Sequence, residues 1–546
     1  MHPLTMSRAG GAVYTRKWIA DLMLDAVGYT PDKDLASVRV LEPSCGRGAF
    51  LIPIVHRLCE SLDGRDRTVD DIRGSILAVD IDAAILEECR KEVESVLESY
   101  GFLAEQASYL SSEWLHQEDF LLNDYRGFDL VVGNPPYINS DDIPEKARRM
   151  YSERLDTVTM GTDLFVGFIE NGLRSLAPGG RLCFICADRW MQNGYGRRLR
   201  GYITGSYRME AICRMHGVDA FESDVSAYPA IMIIGTGGTD CRFAVCSDDF
   251  GPDDAPELLS SLRDRPVSGR RFSMSEIRIE GDAPWMLSSP DDACVVGQMI
   301  SLFPSIEDSG VRMGIGVATG RDSVFITTDG SLVEGGRMLP LIKKEDIIDG
   351  LMPAEPVHWL INPWDGDGNL VDLDGYPRMC GYLESNVDSL RSRHVVRKDA
   401  SKWYRTIDKV DPDLLRTPKL LIPDLSRHPE PFYDEGRFYP SHNMYWMISD
   451  EWDPEVLGGV LLSGQVESFI DAVGVKMRGN TMRCQAQYLR MLHIPYPHSL
   501  HDVEAEGFRQ AFRTRDRVLA TVFMERLIGR MTGNGRSHEA GVAEVV

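Results

Sequence analysis

An apolar run, Phe128-Asp129-Leu130-Val131-Val132-Gly133, empties into Asn134-Pro135-Pro136-Tyr137, and this corner restricts the fold more than any other stretch of the chain. A short run of this make-up between turn signals reads as a buried strand. Each proline fixes its own φ, and Pro136 pushes Pro135 towards extended geometry. Neither proline carries an N–H, so backbone carbonyls and the Asn134 amide are the acceptors on offer. A strand ending this way can hold two acceptors against an amino group, with the Tyr137 ring over the same planar substrate. The corner alone also fits a rigid turn, so the other strand ends must decide.

A second apolar run, Val38-Arg39-Val40-Leu41, ends in Glu42-Pro43-Ser44-Cys45-Gly46-Arg47-Gly48-Ala49-Phe50, and a helix-like stretch follows. Strand, glycine turn and helix in that order bring backbone against a cofactor at the carboxyl edge of a parallel sheet. Leu51 stands where a dinucleotide fingerprint places its third glycine, which disfavours a pyrophosphate cradle. Glu42 at the strand end suits a cationic ligand better than an anionic one. A third run, Ile76-Leu77-Ala78-Val79, ends in Asp80-Ile81-Asp82, where a carboxylate can accept both hydroxyls of a ribose. Past the next helix, Gln117-Glu118-Asp119-Phe120 offers an acceptor and a ring for an adenine. One such carboxylate is more often a strand-end cap or a solvated residue than a ligand. Four successive strand ends with matching chemistry resist that explanation.

With these motifs the chain resembles the class I S-adenosylmethionine-dependent DNA methyltransferases that modify the exocyclic N6 of adenine. It is most similar to the group in which the cofactor motif precedes Asn-Pro-Pro-Tyr and target recognition lies C-terminal. Two further stretches, 163–170 and 176–185, match that family's helix, glycine turn and fifth strand, and Val13-Tyr14-Thr15-Arg16-Lys17 takes the place of its cofactor-capping segment. There Arg16 replaces the family's usual proline. The resemblance implies a Rossmann-like, doubly wound, mostly parallel α/β sheet followed by a mixed α/β target recognition domain. It implies S-adenosylmethionine as cofactor, held by Thr15, Glu42, Ser44, Cys45, Gly46, Gly48, Asp80, Ile81, Asp119, Phe120, Asn134, Pro136 and Phe168. Asn134, Pro135, Pro136 and Tyr137 become the catalytic residues, and Tyr137 with Phe221 faces a flipped-out base. Asp82, Asp129 and Asp163 are expected to be caps or orienting groups, and no metal is needed.

At 546 residues the chain is too long for one compact core. Strand and helix patterns alternate to about position 238, and 241–245 fits a last strand. The expected division is a catalytic domain over 1–247, an acidic Gly/Pro linker over 248–258, a recognition domain over 259–528 and a frayed tail over 529–546. Within the recognition region, stretches 314–320, 341–346 and 492–497 resemble the family's specificity domain, in its order. The net charge of −24 argues against indiscriminate polyanion binding. Two segments depart from it. Positions 391–405 carry six basic residues with Asp399 the only acid, and 476–490 carry four with none. Arg397, Lys398, Lys476, Arg478 and Arg483 are the expected contacts to double-stranded DNA.

The 11 cysteines show neither zinc spacing nor a disulfide framework, and Cys183 and Cys186 read as small hydrophobes in the fifth strand. No apolar run approaches the ~20 residues of a membrane span, and the first residues lack signal-peptide character. A cytoplasmic monomer is expected, with a cognate restriction endonuclease open as a partner. Two alternatives stay in view. One is a protein glutamine methyltransferase, which shares the tetrapeptide because a carboxamide nitrogen poses the same chemical problem. The other is an inactive DNA-specificity subunit, for which the intact motifs are unexpected.

Overall fold

The computed structural model describes residues 13–65, 67–223, 228–236, 240–285, 287–288, 290–348, 350–396, 399–426, 428–474, 476–477, 481–484 and 486–533. It divides into two compact units, Met1–Pro290 and Asp291–Val546.

The first unit is built on β1 (Val40–Glu42), β2 (Ile76–Asp80), β3 (Leu115–Gln117), β4 (Phe128–Gly133), β5 (Leu176–Ala187), β6 (Arg208–Arg214), β7 (Pro229–Gly235), β8 (Asp240–Cys246) and β9 (Phe272–Arg278). These form one sheet in the order β3-β2-β1-β4-β5-β7-β6-β8-β9. Strands β1 to β5 pair in parallel, as do β6 and β8, whereas β7 runs antiparallel to both its neighbours and β9 to β8. After β1 the chain builds outward through β2 and β3, then returns to place β4 on the other side. The crevice between β1 and β4 is thus the point at which an open α/β sheet receives ligands.

Alternation along the central strands fills two cores. Leu130 and Val132 of β4 join one cluster with helices Leu51–Ser61, Ala83–Ser99 and Ala104–Trp114. Phe128 and Val131 join the other, with helices Glu145–Arg154, Leu164–Ser175 and Arg197–Ser206. Such two-sided burial is why β4 reads as a continuous apolar run. Cys183 and Cys186 fall in opposite clusters as buried, unbridged thiols, as their spacing predicts.

The linker expectation is corrected. The segment 248–258 leads into helix Ala255–Arg263, and β9 then pairs with β8 along its length, so the first unit continues to Pro290. The Pro, Gly and Asp residues of this segment are helix-start signals. Pro256 sits in the first turn, Asp254 accepts from the Gly251 N–H at 2.9 Å and meets Arg271 at 3.3 Å, and Leu258 is fully buried.

The second unit is mixed α/β. One four-stranded antiparallel sheet holds β10 (Arg312–Ile315), β18 (Met444–Ile448), β14 (Lys419–Pro423) and β16 (Phe432–Asp434) in that order. Lys419 and Asp434 face each other across it, fully buried and 2.8 Å apart, and Lys419 also donates to the Leu414 and Thr417 carbonyls. A pair so enclosed penalises any other register, because a slip would leave each charge without its partner. A second sheet joins β11 (Ile326–Thr327), β13 (His358–Ile361), β12 (Met338–Ile342) and β17 (Tyr439–Pro440), and a third joins β15 (Leu425–Ser426), β20 (Thr481–Arg483) and β19 (Lys476–Met477). Two helices near the end, Asp502–Thr514 and Arg517–Met531, are separated by a break at Arg515 with φ +58°. The second passes Gly529, where the tail was expected to begin, and positions 534–546 lie outside the described residues. Among the described residues no single helix is long and apolar enough to cross a membrane.

Candidate functional site

The carboxyl ends of β1, β2, β3 and β4 converge on one cavity. Thr15, Glu42, Ser44, Cys45, Gly46, Asp80, Ile81, Asp119, Phe120, Asn134, Pro135, Pro136 and Phe168 all line it. Gly48 lies behind it at φ +89°, where a Cβ would stand 2.9 Å from Ile52 and 3.0 Å from Cys89. That conformation and that crowding together require glycine. Gly46, at φ +52°, turns its N–H to Asp80 Oδ2 at 2.9 Å, while Asp80 Oδ1 accepts from the Asp82 N–H at 2.9 Å. Asp82 caps helix Ala83–Ser99 through the Ala84 and Ile85 N–H groups, Asp129 accepts from the Arg39 N–H, and Asp163 accepts from the Ser140 N–H. All three orient backbone, as expected of them.

Glu42 is 1% exposed, and its Oε2 has no hydrogen-bond partner. Burial first, then nearby Cys89 and Asp80, push its pKa well above the ordinary carboxylate range. Asp80 is also raised, again mainly by burial, even though backbone N–H groups oppose the shift. A buried and a half-buried carboxylate in one cavity, with no cation beside them among the described residues, form a site that a positive ligand would relieve. Among the described residues no group of three His, Cys, Asp or Glu could hold a metal ion.

Asn134 follows β4 directly. Its Nδ2 donates to the Val13 carbonyl at 2.9 Å and to Thr15 Oγ1 at 3.1 Å, and its backbone carbonyl accepts from Ser44 Oγ at 3.2 Å. Those bonds aim the other end of the amide, and Oδ1 is buried without a partner. The N-terminal segment is held in turn by 219–222. Thr15 bridges to Phe221, Arg16 donates its N–H to the Ala220 carbonyl at 3.0 Å, and its guanidinium meets Asp219 at 2.9 Å. Arg16 therefore uses an N–H that a proline would lack.

Tyr137 and Phe221 stand apart from the cavity lining and pack edge to face, their ring centroids 6.0 Å apart at 79°. The Tyr137 hydroxyl is buried without a partner, and burial raises its pKa well above that of a free phenol. At the far end of the cavity Phe120 lies between Tyr125, stacked at 5.3 Å, and Phe168, tilted at 5.3 Å. Several lining residues were not anticipated as site residues from sequence, among them Tyr14 and Tyr151. Tyr151 left one signal. With Ala147 it forms the only apolar pair four residues apart in a mostly charged helix.

The basic segments fare differently. Arg393 is buried and donates to the Leu390, Thr319 and Trp403 carbonyls at 2.9, 3.0 and 2.8 Å, so it holds a turn. Burial first, then Arg321 and Arg405, pull its pKa down to about 10. Lys402 pairs with Asp399 at 3.0 Å, and Arg405 donates to the Thr406 and Ile407 carbonyls. Arg397, Lys398 and Arg478 lie outside the described residues. Lys476 and Arg483 sit on the β19–β20 hairpin, opposite Met482 and Leu425 respectively.

Comparison with known proteins adds to this geometry. The Eco57I restriction-modification methylase family matches residues 72–221. Type II methyltransferase M.PaeR7I of Pseudomonas aeruginosa is 40% identical over 89% of this chain and 86% of that protein. Type II methyltransferase M.BstVI of Geobacillus stearothermophilus is 36% identical over 91% and 92%. Among solved structures, the Type IIL restriction-modification enzyme MmeI in complex with DNA shares the fold with a TM-score of 0.62 at 13% identity, covering 95% of this chain and 74% of that one.

Proposed function

The chain belongs to the type II restriction-modification methyltransferases, and from that membership we propose that it methylates the exocyclic N6 of an adenine flipped out of double-stranded DNA. The observation that carries the proposal is Asn134, whose amide is clamped at Nδ2 and presents a buried, partnerless Oδ1 beside the Pro135 backbone. An adenine amino nitrogen is a poor nucleophile, since its lone pair is delocalised into the ring. Asn134 Oδ1 and the Pro135 carbonyl would each accept one of its hydrogens, favouring a pyramidal nitrogen. Those bonds strengthen as positive charge develops, so they act mainly in the transition state.

S-adenosylmethionine fits the cavity by the chemistry of its donors, and when bound it supplies an electrophilic sulfonium methyl. Glu42 would hold the ammonium group, Asp80 the ribose hydroxyls, and Asp119 the adenine amino group, with Phe120 and Phe168 about the ring. Charge-assisted hydrogen bonds contribute roughly 1.5–3 kcal/mol, so Asp80→Ala is expected to weaken cofactor binding at least about tenfold. Titration calorimetry checks this, and unchanged affinity would remove Asp80 from the site. Tyr137 and Phe221 would receive the base, extruded at a cost of a few kcal/mol that stacking offsets.

The first unit is then the catalytic domain and the second the recognition domain, in a cytoplasmic monomer that works beside a separate restriction endonuclease. The β19–β20 hairpin is the stronger of the two expected DNA contacts, because much of the 391–405 segment is engaged in holding its own turns. Replacing Lys476, Arg478 and Arg483 by alanine should weaken DNA binding and lower the slope of log affinity against log salt by up to about 3. A binding titration across salt concentrations decides it, and an unchanged slope would make the segment structural. The function as a whole is tested by single-molecule sequencing of DNA from cells expressing the chain. N6-methyladenine in one sequence context supports it, whereas methylation of another base, or none, overturns it.

A further inference from the structure

Helix Glu145–Arg154 is mostly charged, and its two buried residues, Ala147 and Tyr151, lie four residues apart and so share a face. Both are buried, at 0% and 2% exposure. The helix belongs to an excursion over 138–163 that leaves directly after the Asn134-Pro135-Pro136-Tyr137 corner. The excursion is closed at its base, where the Leu164 N–H meets the Ile138 carbonyl at 3.0 Å and the Ser140 N–H meets Asp163 at 3.2 Å. Arg148 ties the helix to the start of the excursion through the Ser140 and Ile143 carbonyls.

From this helix Tyr151 reaches the cavity and donates its hydroxyl to Asp119 Oδ2 at 2.8 Å. Asp119 Oδ1 accepts from the Leu121 N–H at 3.0 Å. Each carboxylate oxygen thus has a donor from a different element, and together they set the plane of the group. The phenol stays a donor, because burial first and the Asp119 charge second push its pKa up.

We infer that Tyr151 is a positioning residue for the cofactor, holding the Asp119 carboxylate in the plane that recognises the adenine amino group and linking that recognition to the excursion after the catalytic corner. The inference rests on the proposed S-adenosylmethionine site and adds a residue to it. A carboxylate accepts from an amino group and repels a carbonyl oxygen, and a polar site built this way rejects the analogue that lacks its partner. Once the plane is free to rotate, that discrimination falls.

The test is Tyr151→Phe, which keeps the ring and removes the hydroxyl. S-adenosylhomocysteine and its inosine counterpart, in which a carbonyl replaces the amino group, are compared by calorimetry on the full chain. Affinity for the adenosine compound should fall about tenfold while affinity for the inosine compound changes less than about twofold, so the ratio between them shrinks. In steady-state assays the loss should appear in KM for the cofactor more than in kcat, because the lost bond acts on cofactor recognition rather than at the reacting nitrogen. The affinity ratio does not depend on the folded fraction, so a partly destabilised variant still answers the question. Equal losses for both compounds, or no loss for either, would overturn the inference. If the parent chain bound neither compound, the cofactor assignment itself would fall instead.

Discussion

Replacing Asn134 with alanine is expected to lower methyl transfer by about 10²–10³-fold, the usual consequence of removing one preorganised hydrogen-bonding group from a transition-state site. At the end of β4 the chain leaves the sheet beside β1 and cannot turn freely through two prolines. The side chain at that exit is locked by Val13 and Thr15, so the direction of Oδ1 is set before any substrate arrives. Preorganisation of this kind acts on the rate and little on ground-state binding, so KM for DNA should move much less than kcat. Losing the two Nδ2 bonds will loosen the N-terminal segment, and some loss of cofactor affinity is expected from that source alone. Single-turnover methylation with cofactor saturating separates the two effects. Wild-type turnover in that assay would exclude Asn134 from catalysis.

Glu42→Gln carries the second large effect, and it has two opposite parts. Cofactor affinity should fall about 10²-fold, since a buried ion pair loses one partner and the other is left without its counter-charge. The free protein, by contrast, should become more stable at neutral pH. The sign follows from the raised pKa of Glu42. Below the ordinary carboxylate range the group is protonated in folded and unfolded chains alike and contributes nothing. As pH rises through that range the unfolded chain ionises while the folded one holds its proton, so stability is lost up to the raised folded pKa. Glutamine removes this dependence. Cofactor affinity in the parent should accordingly increase with pH across the same window, because binding the cation requires the ionised carboxylate, and the variant should show a flatter profile. Thermal denaturation and calorimetry from pH 5 to 9 read both. A variant that binds cofactor normally, or is less stable than the parent at neutral pH, would contradict the role given to Glu42.

Much of the site was legible because parallel β/α alternation leaves little choice about where strand ends go. Once 38–41, 76–79 and 128–133 are strands of one parallel sheet, their carboxyl ends share an edge, and Glu42, Asp80 and Asn134 must meet there. The glycine turn, the two prolines and the helix caps obey rules of backbone geometry within a few residues, so they can be read locally. The tertiary structure decided what depends on residues far apart in the chain. Val13 and Thr15 orient an amide 121 and 119 residues later, and Tyr151 reaches a carboxylate 32 residues earlier. No local pattern encodes such contacts. The pairing of β9 with β8 carried the first unit through a segment whose Pro, Gly and Asp content suits a linker and a helix start equally well. Burial likewise turned Arg393 from an apparent surface charge into the donor that holds a turn, because charge is a property of the residue and exposure a property of the fold.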